Sequence, residues 1–421
     1  MTQQIAEHYD GTVNSLNQKL ATPETSPYIG GLLFPDQLAD ELYVGNGYAA
    51  NIIDRLPEEA TRRGWKVAVK DTKEADPFAD PMDTLGVVSL FSRADKMARK
   101  DGAASLLMIT SGDTALNTEL VPTQVTKIER LLLIEKRSLQ PGIVVGDINS
   151  PLYGQPADYG LIPVGATGAA AGMTRIHPSR LLMFTGVWLP PTLRQLNAGW
   201  PASILGRVYE KIIDLTETDR AIRQIIKRFS QAIYSGEGLT GQLVGANGQK
   251  VQEHIETLRQ SLDNGSLLAL DKDREALTYL TASVAGLADL YDRKAQALAA
   301  VANMPVTLLL SQSPGGLSTD DASGRTYWYD KTRNHQTTDY KPLLERLVRV
   351  LACSKKGPTK GIEPEEWSIQ FAPLEEASEE KRAGVFKTKV EAFKGLWELN
   401  AITEEQISKA FTDPNSGAVV Y

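Results

Sequence analysis

The residues with the strongest claim to chemistry are glycines. Gly236, Gly238 and Gly241 fall in a G-x-G-x-x-G pattern. In a dinucleotide site, that pattern turns a strand into a helix whose N-terminus receives the pyrophosphate. The helix must begin at the last glycine, and here Gly245 and Gly248 follow too soon for one to start cleanly. The spacing favours a pliable loop. Gly245 to Lys250 is a superficial phosphate loop, but Gln249 separates Gly248 from Lys250 and no Ser or Thr follows the lysine, so the group that would bind Mg²⁺ is missing. The four histidines, His8, His177, His254 and His335, lie in no H-E-x-x-H run and no Cys/His pair, so no zinc site or other metal is expected. His177 precedes Pro178 beside a strand and reads as structural. Cys353, the single cysteine, falls at the apolar end of a helix and reads as a core thiol. It leaves no intrachain disulfide and fits a reducing compartment. Acidic pairs such as Glu58-Glu59, Asp320-Asp321 and Glu375-Glu376 are adjacent. Adjacent helical residues do not face one site, so these are solvated faces or caps. With no G-x-S-x-G elbow either, the reading is of a chain without catalytic residues and without a cofactor.

The elements around these residues suggest a different kind of function. At 421 residues the chain is too long for one ordinary core, and two or three substructures are expected. Apolar residues make up 42% and the net charge is -7. Proteins that grip DNA through its phosphates carry a basic face, so this balance argues against a DNA-gripping module. It leaves room for a passage through which DNA slides. Met1 to Asp10 is polar without an apolar leader core, and no apolar run reaches the ~20 residues that span a bilayer.

Along the chain, a polar segment holding Pro23 and Pro27 precedes a helical pattern from Asp36 to Arg63, which Pro57 should interrupt. Trp65, Val67 and Val69 alternate as a strand, Phe91 to Ala104 reads as a helix, and Leu106 to Ile109 as a strand. Residues 127–190 are rich in strand and turn signals, including apolar runs at Leu131–Ile134 and Ile143–Val145. From Ser203 to about Ser230, apolar residues recur at Ile204, Val208, Ile212, Leu215, Ile222, Ile226 and Phe229. Spacings of three, four and seven define one helical stripe, on a helix roughly 40 Å long. A short helix near Val251 to Leu262 and a strand-like Leu267 to Leu270 follow the glycines. A second long helix fits Ser283 to Asn303, stopped by Pro305. A loop over 306–324 leads to a third helix from Gly324 to Cys353, which Pro342 should kink. Trp367, Ile369 and Phe371 alternate as a strand, and Glu375 to Phe411 reads as a charged helical tail.

Two long helices separated by a compact insert gain from side-by-side packing of copies around an axis, which would form a tube wall. Periodicity alone leaves open a helical hairpin within a monomer.

At this point the residues resemble a family. Ile176-His177-Pro178-Ser179-Arg180, then Gly199-Trp200 opening onto a long helix, then Met304-Pro305 and Gln312-Ser313-Pro314-Gly315-Gly316-Leu317 occur in an order similar to that of the portal proteins of tailed double-stranded-DNA bacteriophages. The stretch Asp54 to Trp65 and the strand Trp367 to Pro373 followed by Glu375 to Arg382 are similar too. The resemblance covers roughly residues 40–411. It implies an α+β portal fold: an α/β wing, a two-helix stem, a small clip insert, a long wing helix and a short helical crown. By this reading 1–29 is an N-terminal arm, 30–200 and 324–374 the wing, 201–230 and 283–304 the stem, 231–282 the clip, 305–323 a tunnel loop and 375–421 the crown.

The resemblance further implies a ring, usually of twelve subunits, at one capsid vertex. Double-stranded DNA would pass through it in packaging and ejection. The terminase large subunit, the major capsid and scaffolding proteins and a head–tail adaptor would be its partners, with no membrane involved. The protein would reside in the virion, and in host cytoplasm during assembly. Gln312, Ser313, Gly315, Gly316, Ser318 and Thr319 are then candidates to line the channel, in a loop without Lys or Arg. Lys250, Arg259 and Asn264 are candidates for motor docking, and Ile204, Val208, Ile212, Leu215 and Ile226 for a stripe buried between subunits or against the second stem helix. Two alternatives are another virion ring component, such as an adaptor, and a nucleotide-binding enzyme resting on Gly236–Gly241 alone.

Overall fold

The computed structural model describes residues 34–70, 76–162, 173–229, 232–236, 248–263, 275–279, 286–311, 321–375 and 387–394 apart from 389. Helices α1 (Asp36–Gly45) and α2 (Gly47–Thr61) open it. The break between them falls at Asn46, not at Pro57. The Asn46 backbone N–H closes α1 on the Leu42 carbonyl, while its Oδ1 accepts from the N–H groups of Tyr48 and Ala49 at 3.0 and 3.1 Å. One residue thus ends one helix and caps the next. Pro57 stays inside α2 because its missing N–H is replaced. The orphaned carbonyl one turn back, on Ile53, accepts from Arg99 Nε at 3.1 Å.

Strand β1 (Trp65–Val69) follows, then α3 (Ala79–Thr84), α4 (Val87–Asp101), β2 (Ala103–Ser111), β3 (Lys127–Glu135), β4 (Leu139–Pro141), β5 (Tyr159–Leu161), β6 (Thr174–Ile176), β7 (Leu181–Thr185) and α5 (Pro191–Leu196). Ala103 and Ala104, expected at the end of a helix, instead begin β2. Gly102, at φ 97°, ends α4, and a Cβ there would sit 2.3 Å from the Pro201 carbonyl oxygen. Helix α6 (Leu205–Phe229) comes next, then β8 (Ala232–Gly236), α7 (Gly248–Asp263), β9 (Glu275–Tyr279), α8 (Leu287–Ala302), α9 (Val306–Leu309) and α10 (Asp321–His335). A π turn, Gln336–Tyr340, joins α10 to α11 (Lys341–Cys353), and β10 (Trp367–Phe371) follows. The kink expected at Pro342 takes the form of this π turn, whose wider coil immediately before the proline makes room for its ring. Residues 387–388 and 390–394 are helical. The rest of the expected helical tail, and Leu267–Leu270, lie outside the described residues.

The described residues divide into two compact units. One contains residues up to Ile52 and those from Ile204 to Ser318; the other contains Ile53–Ser203 and the residues from Thr319 onward. The second unit is built on β2, the middle strand of an antiparallel sheet ordered β3-β2-β7. Because side chains alternate along a strand, β2 feeds two cores. Ala104, Leu106 and Met108 join Phe91, Ala94 and Ala98 of α4 and Leu344, Leu347 and Val348 of α11. Ala103 and Leu107 join Leu139, Tyr159, Ile176 and Trp200 beneath the small sheet β4-β5-β6. The alternation in Trp65–Val69 and Trp367–Phe371 has its reason in pairing: the two strands run antiparallel, with Val67 opposite Ile369, and both bury against the first core. Ile143–Val145, expected as an apolar strand, is instead one arm of an exposed hairpin. Val144 makes only a bridge to Pro156, and Ile143 is 85% exposed.

Candidate functional site

The two long helices α6 and α8 pack along each other. Val208, Ile212 and Leu215 on α6 and Ala295, Leu298, Ala299 and Ala302 on α8 are buried within the single chain. The stripe read from the sequence is therefore covered at its centre by the chain itself. Ile204 is half-buried, and Ile226, near the end of α6, stays 56% exposed. Polar contacts fix the pair. Asp214 Oδ2 lies 3.1 Å from Lys211 Nζ on its own helix and 3.5 Å from Lys294 Nζ on α8. Although partial burial raises the Asp214 pKa, the two lysines outweigh it and hold the carboxyl below its ordinary range.

The start of α2 fastens the pair from the side. The Tyr48 and Tyr291 hydroxyls meet at 2.8 Å, Asn46 Nδ2 donates to Thr216 Oγ1 at 3.3 Å, and Asn51 Nδ2 donates to the Leu309 carbonyl at 3.1 Å. Ile212→Asp would put an unpaired charge at a fully buried position, at a cost of several kcal/mol. The expected result is loss of the helical pair and of any assembly. Full-sized particles of this variant in sedimentation would remove the pair from the assembling part.

Helix α8 ends at Ala302 because Asn303 turns left-handed at φ 56°. Pro305 does not stop it but precedes the short α9. Gln312, Ser313, Gly315, Gly316, Ser318 and Thr319 lie outside the described residues, as does Asn264. Lys250 is exposed on the first turn of α7, and Arg259 falls on the same helix. The glycine pattern at 236–241 begins at the end of β8, whose described partner is the antiparallel β9. The next described helix starts at Gly248. The described β8–β9 pairing is antiparallel, whereas a dinucleotide site requires a parallel βαβ setting. Among the described residues, no group of three or more His, Cys, Asp or Glu side chains could hold a metal ion, and no helix is long and apolar enough to cross a membrane.

In the second unit, the Ile176–Arg180 motif acts as a clamp. Ser179 Oγ lies 2.8 Å from His177 Nδ1 and accepts from the Leu120 N–H at 2.7 Å. The Arg180 guanidinium, wholly buried, reaches Asp113 Oδ2 at 2.5 Å, the Thr118 carbonyl at 2.9 Å, and the Thr114 carbonyl and Oγ1 at 3.2 Å. Arg346 of α11 donates to the carbonyls of Pro178 and Leu181 at 2.7 and 3.1 Å. The motif therefore ties the 111–120 loop and α11 to one strand end.

Sequence reasoning missed a second network, at the π turn. Asp95 Oδ2, on α4, lies 2.6 Å from His335 Nε2 and accepts from the Tyr340 hydroxyl at 2.8 Å; His335 Nδ1 lies 2.8 Å from Asp339 Oδ2. Gln336 Nε2 donates to the Ala60 carbonyl at 2.7 Å. Burial disfavours charge on His335, but Asp95 and Asp339 prevail and raise it to about 9. Burial likewise pushes Asp95 up, and His335 more than reverses this. Burial, with Arg99 nearby, lowers Lys331 to about 8. No local signal pointed to it, because His335 and Asp95 lie 240 residues apart.

Comparisons with known proteins agree with this architecture. A protein of Caulobacter sp. called anti-CBASS protein Acb1 is 28% identical over 384 residues, covering 86% of this chain but 58% of its own length. A protein of the same name from Sphingomonas paeninsulae is 24% identical, and 63% of its length is covered. The chain thus spans about three-fifths of these two relatives. An uncharacterized protein of Haemophilus influenzae is 25% identical over 94% of this chain and 88% of its own. Among solved structures, the neck of a native gene transfer agent particle computed with C12 symmetry superposes with a TM-score of 0.52 at 12% identity, covering 92% of this chain and 97% of that one. The neck of the empty particle computed with C6 symmetry gives 0.54 at 13% identity, covering 91% and 93%. These likenesses show the same α+β fold. The phage portal protein family model matches residues 38–394, and the chain belongs to that family.

Proposed function

We propose that this chain forms a portal ring at one capsid vertex, a channel for double-stranded DNA in packaging and ejection. Its family membership over residues 38–394 carries the reading, and the fold shared with a particle neck computed with C12 symmetry supports it. The chain has no catalytic role in this reading. The terminase large subunit docks on the segment between α6 and α8, and capsid, scaffolding and adaptor proteins meet the rest of the ring. Assembly takes place in host cytoplasm, and the ring ends in the virion. The net charge of -7 fits a passage that does not hold phosphates.

An end-on electron micrograph of the purified protein tests the reading. A closed ring of about twelve copies is expected, and a monomer at micromolar concentration would overturn it.

The loop from 305 to 323 contains no Lys or Arg, and in this reading it touches DNA weakly. Gln312→Arg with Ser318→Arg adds two positive charges per subunit, and these sum around the ring. Ring yield should be unchanged while the packaging rate falls at least tenfold and becomes salt-dependent. Unchanged packaging by intact rings would mean that the loop does not face the DNA.

A further inference from the structure

Beyond Tyr159, the pair β4–β5 runs on as a ribbon that β6 does not follow. Ile176 is the last residue of β6 opposite β5, and the His177 N–H then turns to the Leu116 carbonyl at 2.9 Å. In the ribbon, the Ala157 N–H donates to the Ile143 carbonyl at 2.8 Å. The Val145 N–H donates to the Gln155 carbonyl and the Gly154 N–H to the Val145 carbonyl, both at 2.9 Å. The tip is a hydrogen-bonded turn. Asp147 Oδ1 accepts from the Asn149 N–H at 3.0 Å. The Ser150 N–H reaches the Asp147 carbonyl and the Tyr153 N–H the Ser150 carbonyl, each at 3.0 Å. Yet this small element leaves Ile143, Val144, Ile148 and Tyr153 exposed, Val144 by 52% and Ile148 by 77%. A two-stranded ribbon alone is marginal in water, and large apolar side chains gathered on so short an exposed stretch mark a surface that gains from a cover.

The two edges of the ribbon are not alike. Val144 and Pro156 form the bridge at its centre. The bonds on either side of them run from Ala157 to Ile143 and from Val145 to Gln155. By the alternation of an antiparallel pair, the backbone groups of Val144 and of Pro156 then point outward, to opposite edges. Pro156 has no N–H to offer and is buried, which closes its edge to pairing. Val144 keeps an N–H and a carbonyl that bond to no described residue. The open edge carries Ile143 on one face and Val144 on the other. Such an edge accepts an extended chain: main-chain bonds hold the added strand, and alternate side chains select it.

Symmetry and charge indicate whose chain that is. If a second copy offered the same edge, the contact would be two-fold and stop at a pair, which does not propagate into a ring. If it offered the opposite edge, Pro156 would meet Val144 without a donor. The one charged residue in 142–157 is Asp147, exposed and without an ion pair among the described residues, so a basic residue belongs beside it. We propose that the Ile143–Val145 edge takes a strand from a protein other than this chain. That strand is an extended, proline-free segment with β-branched or aromatic residues at alternate positions and a lysine or arginine facing Asp147. The proposal rests on the ring reading only where symmetry excludes a second copy.

Hydrogen exchange on purified rings and on purified particles tests it. The Val144 amide should exchange freely in rings alone and more slowly, by about tenfold or more, in particles. The Gln155 and Ala157 amides should change little. A photo-crosslinking phenylalanine analogue at Ile143 should join this chain to a segment of another protein in the particle. Val144→Pro removes only the outward N–H, so ring mass should match wild type while that crosslink is lost. An unchanged Val144 amide in the particle, or crosslinks from Ile143 that reach only a second copy or survive Val144→Pro, would overturn the proposal and leave the ring reading standing. A monomeric wild type would overturn both.

Discussion

Replacing Arg180 by alanine should destabilise the protein by ~3–5 kcal/mol, the cost of stripping the partner from a buried charge. The Asp113 side chain is only 5% exposed. Without the guanidinium it keeps only the Thr110 hydroxyl, at 2.9 Å, and the Thr114 and Thr118 carbonyls lose their donor. The 111–120 loop, fastened otherwise by Ser179 to the Leu120 N–H, should loosen with it. Arg180→Lys restores the charge but not the planar fork that serves several acceptors at once, so it should recover only part of the loss. Arg180→Ala with Asp113→Asn should be less damaging than the sum of the single changes, because the second removes the stranded charge. Urea midpoints for wild type, the three single variants (Arg180→Ala, Arg180→Lys and Asp113→Asn) and the double variant measure this, and an Arg180→Ala midpoint within error of wild type would show that the clamp carries no stability.

The His335 latch gives the second large effect, as a pH dependence. Its folded pKa of about 9 lies above the unfolded value of 6.5, so the stability it contributes is complete below pH 6.5 and is lost as pH rises through 9. The difference corresponds to ~3 kcal/mol. Asp95 runs the other way. Its folded pKa is depressed, so its contribution is present above its ordinary value of ~3.9 and falls away in acid. Wild type should therefore lose stability between pH 7 and 10, and His335→Gln, being uncharged throughout, should lose much less over the same range. Denaturation midpoints at pH 6.5 and pH 10 for both proteins decide the matter; parallel slopes would exclude the latch as the source.

Much of this structure is legible in the sequence where a single period governs. The stripe from Ile204 to Phe229 announces α6 because one face must meet one partner. The alternation in Trp65–Val69 and Trp367–Phe371 announces two strands, although their pairing across some 300 positions of chain has no local signature. What stays hidden depends on long-range partners. Pro57 reads as a helix break until Arg99 is known to satisfy Ile53, and Asn46 reads as an ordinary polar residue until it is seen capping α2. Val208, Ile212 and Leu215 are apolar whether a neighbouring chain or α8 covers them, so periodicity could not choose between the two. His335 carried no motif, because its partner Asp95 lies 240 residues away.

The discontinuity of the second unit also governs how it can be made. Phe91, Leu106 and Leu182 share one core with Leu344, Leu347, Leu351 and Ile369, yet all of α6, α7, α8 and α10 are translated in between. At ~5–20 residues per second, a ribosome needs roughly 10–30 s to pass from β7 to α11. Throughout that interval, the central apolar strand β2 waits without α11, one of the two helices that share the core on one of its faces. The nascent chain is therefore a natural client for chaperones. A synonymous-codon change that slows translation of the intervening segment should lower soluble yield without altering the finished protein.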